Sequence, residues 1–460
     1  MSIERNAGKL TDPFNNFTSN LEALREFLGV VDAFLQRKGE DFALEHEADL
    51  IPLRLATSIA SKTPSEKLSV ERERELRLQF GAPINLTAAP DGTTEISIQG
   101  EAGKRFVNSV GTLSKNSAHQ HLLYKNCLIS LVSSAEWFLS QVLTRFFESF
   151  PEAAGLKDKT LTLEDLRRIG TVEEAEAYLI RLRVDEIMWG GLDDWLKFLK
   201  NTVKLSLGYL TEDEEALKEV FQRRNVMVHN NGIVHPSYLS KIPEAARPGV
   251  VAGEPLFVPA AYLRGAIDIL EKQFLLIAAE LWKKVAPKDE KRGGVLNNIA
   301  MKALLAERYL ISSGISRFQG EDKQLPEKWW LYARINFWQT MKWDGQFAAV
   351  ETEIRQADFS AKDDLSRLAR HVLLDEFDDA KDLLYSVIES QKLTLSDLES
   401  WPIFKEFRKD SDVEKLIEQK RQTENARMHL SQEAELLPNS EESTGVGWGI
   451  LDAPQADKIQ

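Results

Sequence analysis

KNSAHQHLLYKNCLISLVSSAEWFLSQVLTRFFESF, running from Lys115 to Phe150, decides the fold class. Its apolar residues recur at three- and four-residue intervals and no proline interrupts them, so the stretch predicts one long helix that Pro151 closes. Toward the N-terminus, Leu21, Leu24, Phe27, Leu28, Val31, Phe34 and Leu35 repeat the helical spacing, and Ser69 to Phe80 predicts a charged, solvated helix. One segment departs from this pattern. INLTAA and TTEISI flank Pro90-Asp91-Gly92 within Ile84–Ile98, which predicts two short strands around a turn. Toward the C-terminus, short helical pieces fall at Glu173–Arg183 and Asp193–Lys200. A stronger helix follows from Thr211, an expected N-cap with Glu214 three residues on, as in a capping box. Asn230-Asn231-Gly232 ends it, because these residues accept the left-handed conformation. A further apolar helix spans Ala260 to Val285. The expected class is all-α with a minor β hairpin near 84–98.

The chain has 460 residues, 43% hydrophobic and 28% charged, which fits a globular protein of about three domains. A net charge of −14 and a pI of about 5.2 argue against a nucleic-acid coat protein or a binder of anionic membranes. Any contact with RNA then needs a local basic feature. The single cysteine, Cys127, excludes an internal disulfide and a zinc finger. No leader-like apolar segment opens the chain, and the apolar run Phe274–Trp282 is too short to span a bilayer, so a cytoplasmic location and no membrane partner are expected.

Four divisions are expected: an N-terminal helical region with the hairpin (1–105), a central helical domain (106–290) with a polar insertion at 152–205, paired helices (296–430) and an acidic tail (431–460). PKDEKRGG at 287–294 reads as a linker. Phe347 and Phe377 open the second helix of successive pairs thirty residues apart, a spacing that resembles tetratricopeptide-type repeats in degenerate form, with Trp401-Pro402 starting a partial third unit. Such repeats suggest a protein partner. The Trp-rich stretch Trp329, Trp330, Trp338 and Trp343 reads as repeat core. The tail is expected to be disordered, with Trp448 and Ile450 either a docking peptide or solvated.

There is no phosphate-binding loop, nucleophile elbow, kinase set or zinc-protease helix, and the histidines form no metal-ligand cluster; no metal and no cofactor are expected. One constellation remains: Gln222-Arg223-Arg224-Asn225-Val226-Met227-Val228-His229-Asn230-Asn231-Gly232. At about 100° per residue, Leu217, Val220, Phe221, Arg224 and Val228 share an apolar stripe, with Asn225 and His229 along its edge and Arg223 toward solvent. An Arg on a buried stripe calls for an acid from a neighbouring helix or a phosphate. His229 falls in the last turn, where the helix dipole favours an imidazolium by ~0.3–1 kcal/mol, which suits proton transfer at neutral pH. Arg supplies a fixed cation with a fork for phosphate oxygens. Together they suffice for cleavage of an RNA phosphodiester with the 2′-OH as nucleophile.

Arg224-Asn225-x-x-x-His229 resembles the R-x(4–6)-H motif of HEPN domains, and SSAEWFLSQVL resembles their early helix, with Glu136 as the acid that faces the motif. The resemblance covers about 106–290. It implies a metal-independent endoribonuclease with a composite site in a homodimer, of a kind found in toxin and phage-defence systems and held under restraint. Arg224, His229 and Asn225 are the expected catalytic residues; Glu136, Arg223 and Asn230 are expected to support them. Three readings stay open beside it: Arg224 paired with Glu136 and His229 capping carbonyls for packing alone, a non-catalytic scaffold that dimerises through the central domain, and a nucleotide-binding regulator using Arg224 as a phosphate clamp.

Overall fold

The computed structural model of the chain describes residues 10–436, apart from 62, 64, 66, 89–92 and 157–158. The expected turn Pro90-Asp91-Gly92 and the tail beyond 436, with Trp448, lie outside the described residues. The fold is all-α with a minor β hairpin. Two compact units meet in sequence at Val350 and Glu351.

The first unit opens with α1 (Thr11–Glu45), α2 (Glu47–Ala60) and α3 (Val70–Phe80, N-capped by Ser69). The hairpin follows, β1 (Ile84–Ala88) and β2 (Thr94–Ile98), antiparallel with Ile84 opposite Ile98. Next come α4 (Gly100–Ser149), α5 (Leu163–Ile169), α6 (Val172–Met188) and α7 (Leu192–Phe198), which runs into a π-turn at Leu199–Val203. Then come α8 (Glu214–His229), the short α9 (Pro236–Lys241), α10 (Ala260–Val285), α11 (Glu290–Leu305), α12 (Tyr309–Gly320) and α13 (Glu327–Trp343). The second unit holds α14 (Glu351–Gln356), α15 (Asp364–Leu373), α16 (Phe377–Glu389), α17 (Leu395–Ser400) and α18 (Ser411–Leu436). In it α15 and α16 form an antiparallel pair around Leu368, Leu384 and Val387.

The main core gathers around α4 and α10. Every residue of α10 from Phe274 to Ala279 is buried, the signature of a central helix rather than a surface one. Phe14 and Phe17 of α1 pack on Phe138 of α4, the latter pair stacked at 4.3 Å, and Phe14 also meets Trp282. An ion-pair network crosses the same interface: Arg25 binds Asp268 at 2.6 Å and Glu271 at 2.5 Å. A window of α4 is apolar enough by composition to cross a membrane, but its apolar stripe from Cys127 to Phe147 is packed in this core. A separate small core, Ile51, Leu55, Leu76, Phe80 and Ile84, joins α2, α3 and the hairpin.

Several boundaries differ from expectation. The long helix starts at Gly100, not Lys115, because it grows directly from β2 and nothing between them breaks a helix. Gly103 makes that junction possible: a Cβ there would lie 2.4 Å from the Ile98 carbonyl oxygen. On α1, Phe27 and Phe34 are exposed, and Phe14, Phe17, Leu21 and Leu28 form the buried face. Residues 287–294 are no open linker. Asp289 accepts from Lys291 N–H and from the Trp282 indole, starting α11, and Arg292 is fully buried against Asp322 at 2.7 Å. Helices α11 to α13 belong to the first unit, where Leu296, Ile299, Ile311 and Ile315 enter the main core. The division at Val350 therefore separates the first expected helix pair, and Trp338 is buried with the first unit.

Candidate functional site

Helix α8 begins at Glu214, two residues later than the Thr211 cap predicts. The carboxylate of Asp213 is drawn away to Lys272 at 2.5 Å and to Gln273 of α10, while the Thr211 hydroxyl donates to the Gly208 carbonyl at 3.0 Å. Its far end stops where expected. Asn230 N–H and Gly232 N–H both donate to the Val226 carbonyl, with Asn231 (φ 49°) and Gly232 (φ 82°) left-handed. Asn230 thus acts through its backbone, as a turn residue. Beyond it the chain folds back: Leu256 N–H donates to the Gly232 carbonyl and Val234 N–H to the Glu254 carbonyl, so residues 233–258 lie over α8.

That cover changes the faces of α8. Met227 and Val226 are buried, whereas Val228, expected on the apolar stripe, is 46% exposed. Arg223, expected in solvent, is buried. Its Nε donates to Glu219 at 2.7 Å, its Nη1 donates to the Phe257 carbonyl, and its guanidinium lies 4.0 Å from the Tyr262 ring centre. Glu219 also accepts from Tyr238 at 2.6 Å and from Tyr262 at 2.5 Å. This clasp ties α8 to α9, α10 and the covering loop. Burial first, and then the Glu219 charge, push the Tyr238 and Tyr262 hydroxyls above their ordinary range. Burial opposes the Arg223 charge, yet Tyr262 and Glu219 together hold its pKa above the usual value.

Arg224 points to the other side and pairs with Glu136 of α4, the acid that the resemblance implied. The pair is partly exposed, 19% for Arg224 and 31% for Glu136. Arg224 Nε is buried and meets no acceptor among the described residues, so one carboxylate oxygen does not use up this guanidinium's donors. His229 is exposed at the tip of α8 and hydrogen-bonds no described residue. Asn225 is half-buried and lines a cleft of about 250 Å³ with Lys218, Gln222, Asp193 and Lys241. Positions 218, 222, 225 and 229 share one face of the helix, so His229 stands one turn beyond the cleft that Asn225 closes. The Glu214 hydrogen bond raises the Lys218 pKa against a smaller opposing effect of burial, and Asp193 adds to the rise.

The structure thus joins Arg224 to Glu136 and aligns Asn225 with His229, while Arg223 belongs to the fold. Sequence reasoning missed Glu219, Tyr238 and Tyr262. The Glu219–Arg223 spacing of four was visible, but the tyrosines reach it only through the folded loop. It also missed Lys218 and Gln222, whose spacing with Asn225 and His229 was readable. Among the described residues, His371, Glu376 and Asp379 of the second unit bring potential metal-ligating atoms within 4.8 Å of one another, although Glu376 is already engaged by His371 and Arg355. No family model, curated protein or solved structure matches the chain.

Proposed function

We propose that this chain is a metal-independent endoribonuclease of the HEPN type, acting as a homodimer in which Arg224 and His229 of two copies face one RNA strand. The reading rests on one observation above all: an exposed, unbonded imidazole ends the helix that carries, about 7.5 Å back along its axis, a cation braced by Glu136. A purely packing role for His229 predicts a carbonyl partner, and it has none among the described residues. Trp137, Val228, Ile233 and Phe257 are exposed apolar side chains near these residues in the fold or sequence, which supports a second copy docking here.

The chemistry needs no further group. His229 takes the proton of a ribose 2′-OH, whose oxygen attacks the adjacent phosphorus. The bond to the 5′-oxygen breaks, and a proton from the partner copy's imidazolium leaves with that oxygen. Arg224 stabilises the added negative charge on the phosphoryl oxygens. The products are a 2′,3′-cyclic phosphate and a 5′-hydroxyl, and DNA, without the 2′-OH, is spared. We extend the proposal to a regulated toxin or phage-defence role, with the second unit, whose α15–α16 helix pair includes Phe377, serving a protein partner.

The test is cleavage of total RNA by the purified chain in EDTA. His229→Ala and Arg224→Ala are each expected to lower the rate by about 10²-fold or more, with cyclic-phosphate ends in the wild-type products. Cleavage that survives both changes, or none by the wild type in any lysate, including phage-infected cells, sinks the reading. The Arg224–Glu136 pair also fits the rival reading, a non-catalytic scaffold, which the second outcome would favour.

A further inference from the structure

The Asn225 cleft does not end at α8. A second cleft of about 440 Å³ adjoins it, sharing Asp193 and Lys218, and continues along the π-turn past Lys197, Lys200 and Asn201 to Ser206. The two form a groove that starts one turn from His229 and follows α8 back toward its N-terminus. We propose that this groove holds the single-stranded RNA flanking the cleaved phosphate, a proposal that rests on the endoribonuclease reading and names the path of its substrate.

Three observations carry it. First, the lining bears Lys197, Lys200, Lys218 and Lys241 against Asp193, Asp194 and Glu214, a positive balance in a chain whose net charge is −14. Second, those acids engage only two of the lysines. Lys218 pairs with Glu214 at 2.7 Å and Asp193 at 3.3 Å, and Lys197 lies 4.0 Å from Asp194. Lys241 in the first cleft and Lys200 in the second are exposed and form no ion pair with any described residue. They are the cations available to phosphates. Third, the wall opposite α8 is held in an uncommon backbone. A π-turn is followed by two left-handed non-glycine residues, Lys204 (φ 62°) and Leu207 (φ 50°). Glu280 of α10 fixes this wall by accepting from Ser206 N–H at 2.7 Å, Ser206 Oγ at 2.9 Å and Tyr209 at 2.7 Å. Such strain is kept where surrounding contacts over-determine it, and it concentrates at binding sites. Between the lysines, the Gln222 and Asn225 amides offer donors and acceptors to base edges.

The experiment uses the full chain carrying His229→Ala, so that bound RNA is not cut, and a short fluorescein-labelled single-stranded RNA read by anisotropy. Adding Lys200→Glu and Lys241→Glu together is expected to weaken binding about tenfold or more. It should also make the plot of log affinity against log salt shallower by about 1.4, the loss of two phosphate contacts. Lys302→Glu, an exposed lysine on α11, is the control and should change neither. Circular dichroism checks that each variant folds. Unchanged affinity and salt slope in the double variant overturn the groove, and so does a control that falls as far. RNA cleavage by the wild type, lost with His229→Ala, is scored separately, so a failed groove with intact cleavage leaves the nuclease reading standing.

Discussion

Arg223 and Arg224 are neighbours in sequence with different tasks. Reading α8 as a helix with a single buried stripe put Arg224 inside and Arg223 outside. The structure buries Arg223 and leaves Arg224 partly exposed, because residues 233–258 cover the face that would otherwise be wet. The cost of losing each arginine's partner should differ accordingly. Glu219→Ala strands a buried guanidinium and removes the acceptor of two tyrosines, so urea denaturation should show a loss of about 3–5 kcal/mol. Glu136→Ala opens a partly exposed pair and should cost about 1 kcal/mol or less. If the two losses are equal, the clasp is not the stronger tie. On the nuclease reading, Glu136→Ala should cut RNA cleavage far more than it cuts stability, because it frees the cation the reaction needs in place.

At the scale of elements, the sequence pattern located most helices, and the misplaced ends have identifiable causes. Asp213 cannot cap α8 while Lys272 and Gln273 hold its carboxylate, and 287–294, polar in composition, turns helical because Arg292 finds Asp322 and two carbonyls in the interior. Lys272, Gln273 and Asp322 lie tens of residues from the groups they bind, beyond the reach of local reading. The hairpin was legible from two strand-like segments around turn residues, but its mounting on α4 was not. Gly103→Ala should force the Ile98 carbonyl aside. Hydrogen exchange is expected to rise at the amides of Ile84–Ala88 and Thr94–Ile98 while those of α10 stay protected, since the two cores share no residue. Equal deprotection of both would show that they unfold as one.

Across the whole molecule one pairing recurs: a tyrosine hydroxyl donating to a carboxylate. Tyr124 donates to Asp32, Tyr209 to Glu280, and Tyr238 and Tyr262 to Glu219. Burial, reinforced by the Asp32 bond, pushes the Tyr124 pKa up to about 12 from an ordinary 10.0, and the other three are also raised. The folded chain therefore holds these protons more tightly than the unfolded chain. The stabilisation from Tyr124 is complete below pH 10 and is lost as pH climbs through 12, because the unfolded tyrosine ionises first; for the other three the loss begins at the same point and runs higher. The urea midpoint should fall steeply across that interval, and Tyr124→Phe should blunt the fall. A midpoint flat to pH 12 would contradict the pairing. The candidate site was legible only in part for a related reason: Arg224, Asn225 and His229 announce themselves by spacing and Glu136 by the resemblance, whereas the groove beside them exists only once α7, the π-turn and α9 are folded against α8.

Helix α4 runs unbroken from Gly100 to Ser149, and Glu136 lies about 50 Å along it from the glycine on which the hairpin sits. No joint intervenes to absorb a displacement. A ligand or protein that grips the hairpin therefore has a direct mechanical line to the carboxylate bracing Arg224, and a small roll of the shaft at one end is delivered as a change of aim at the other.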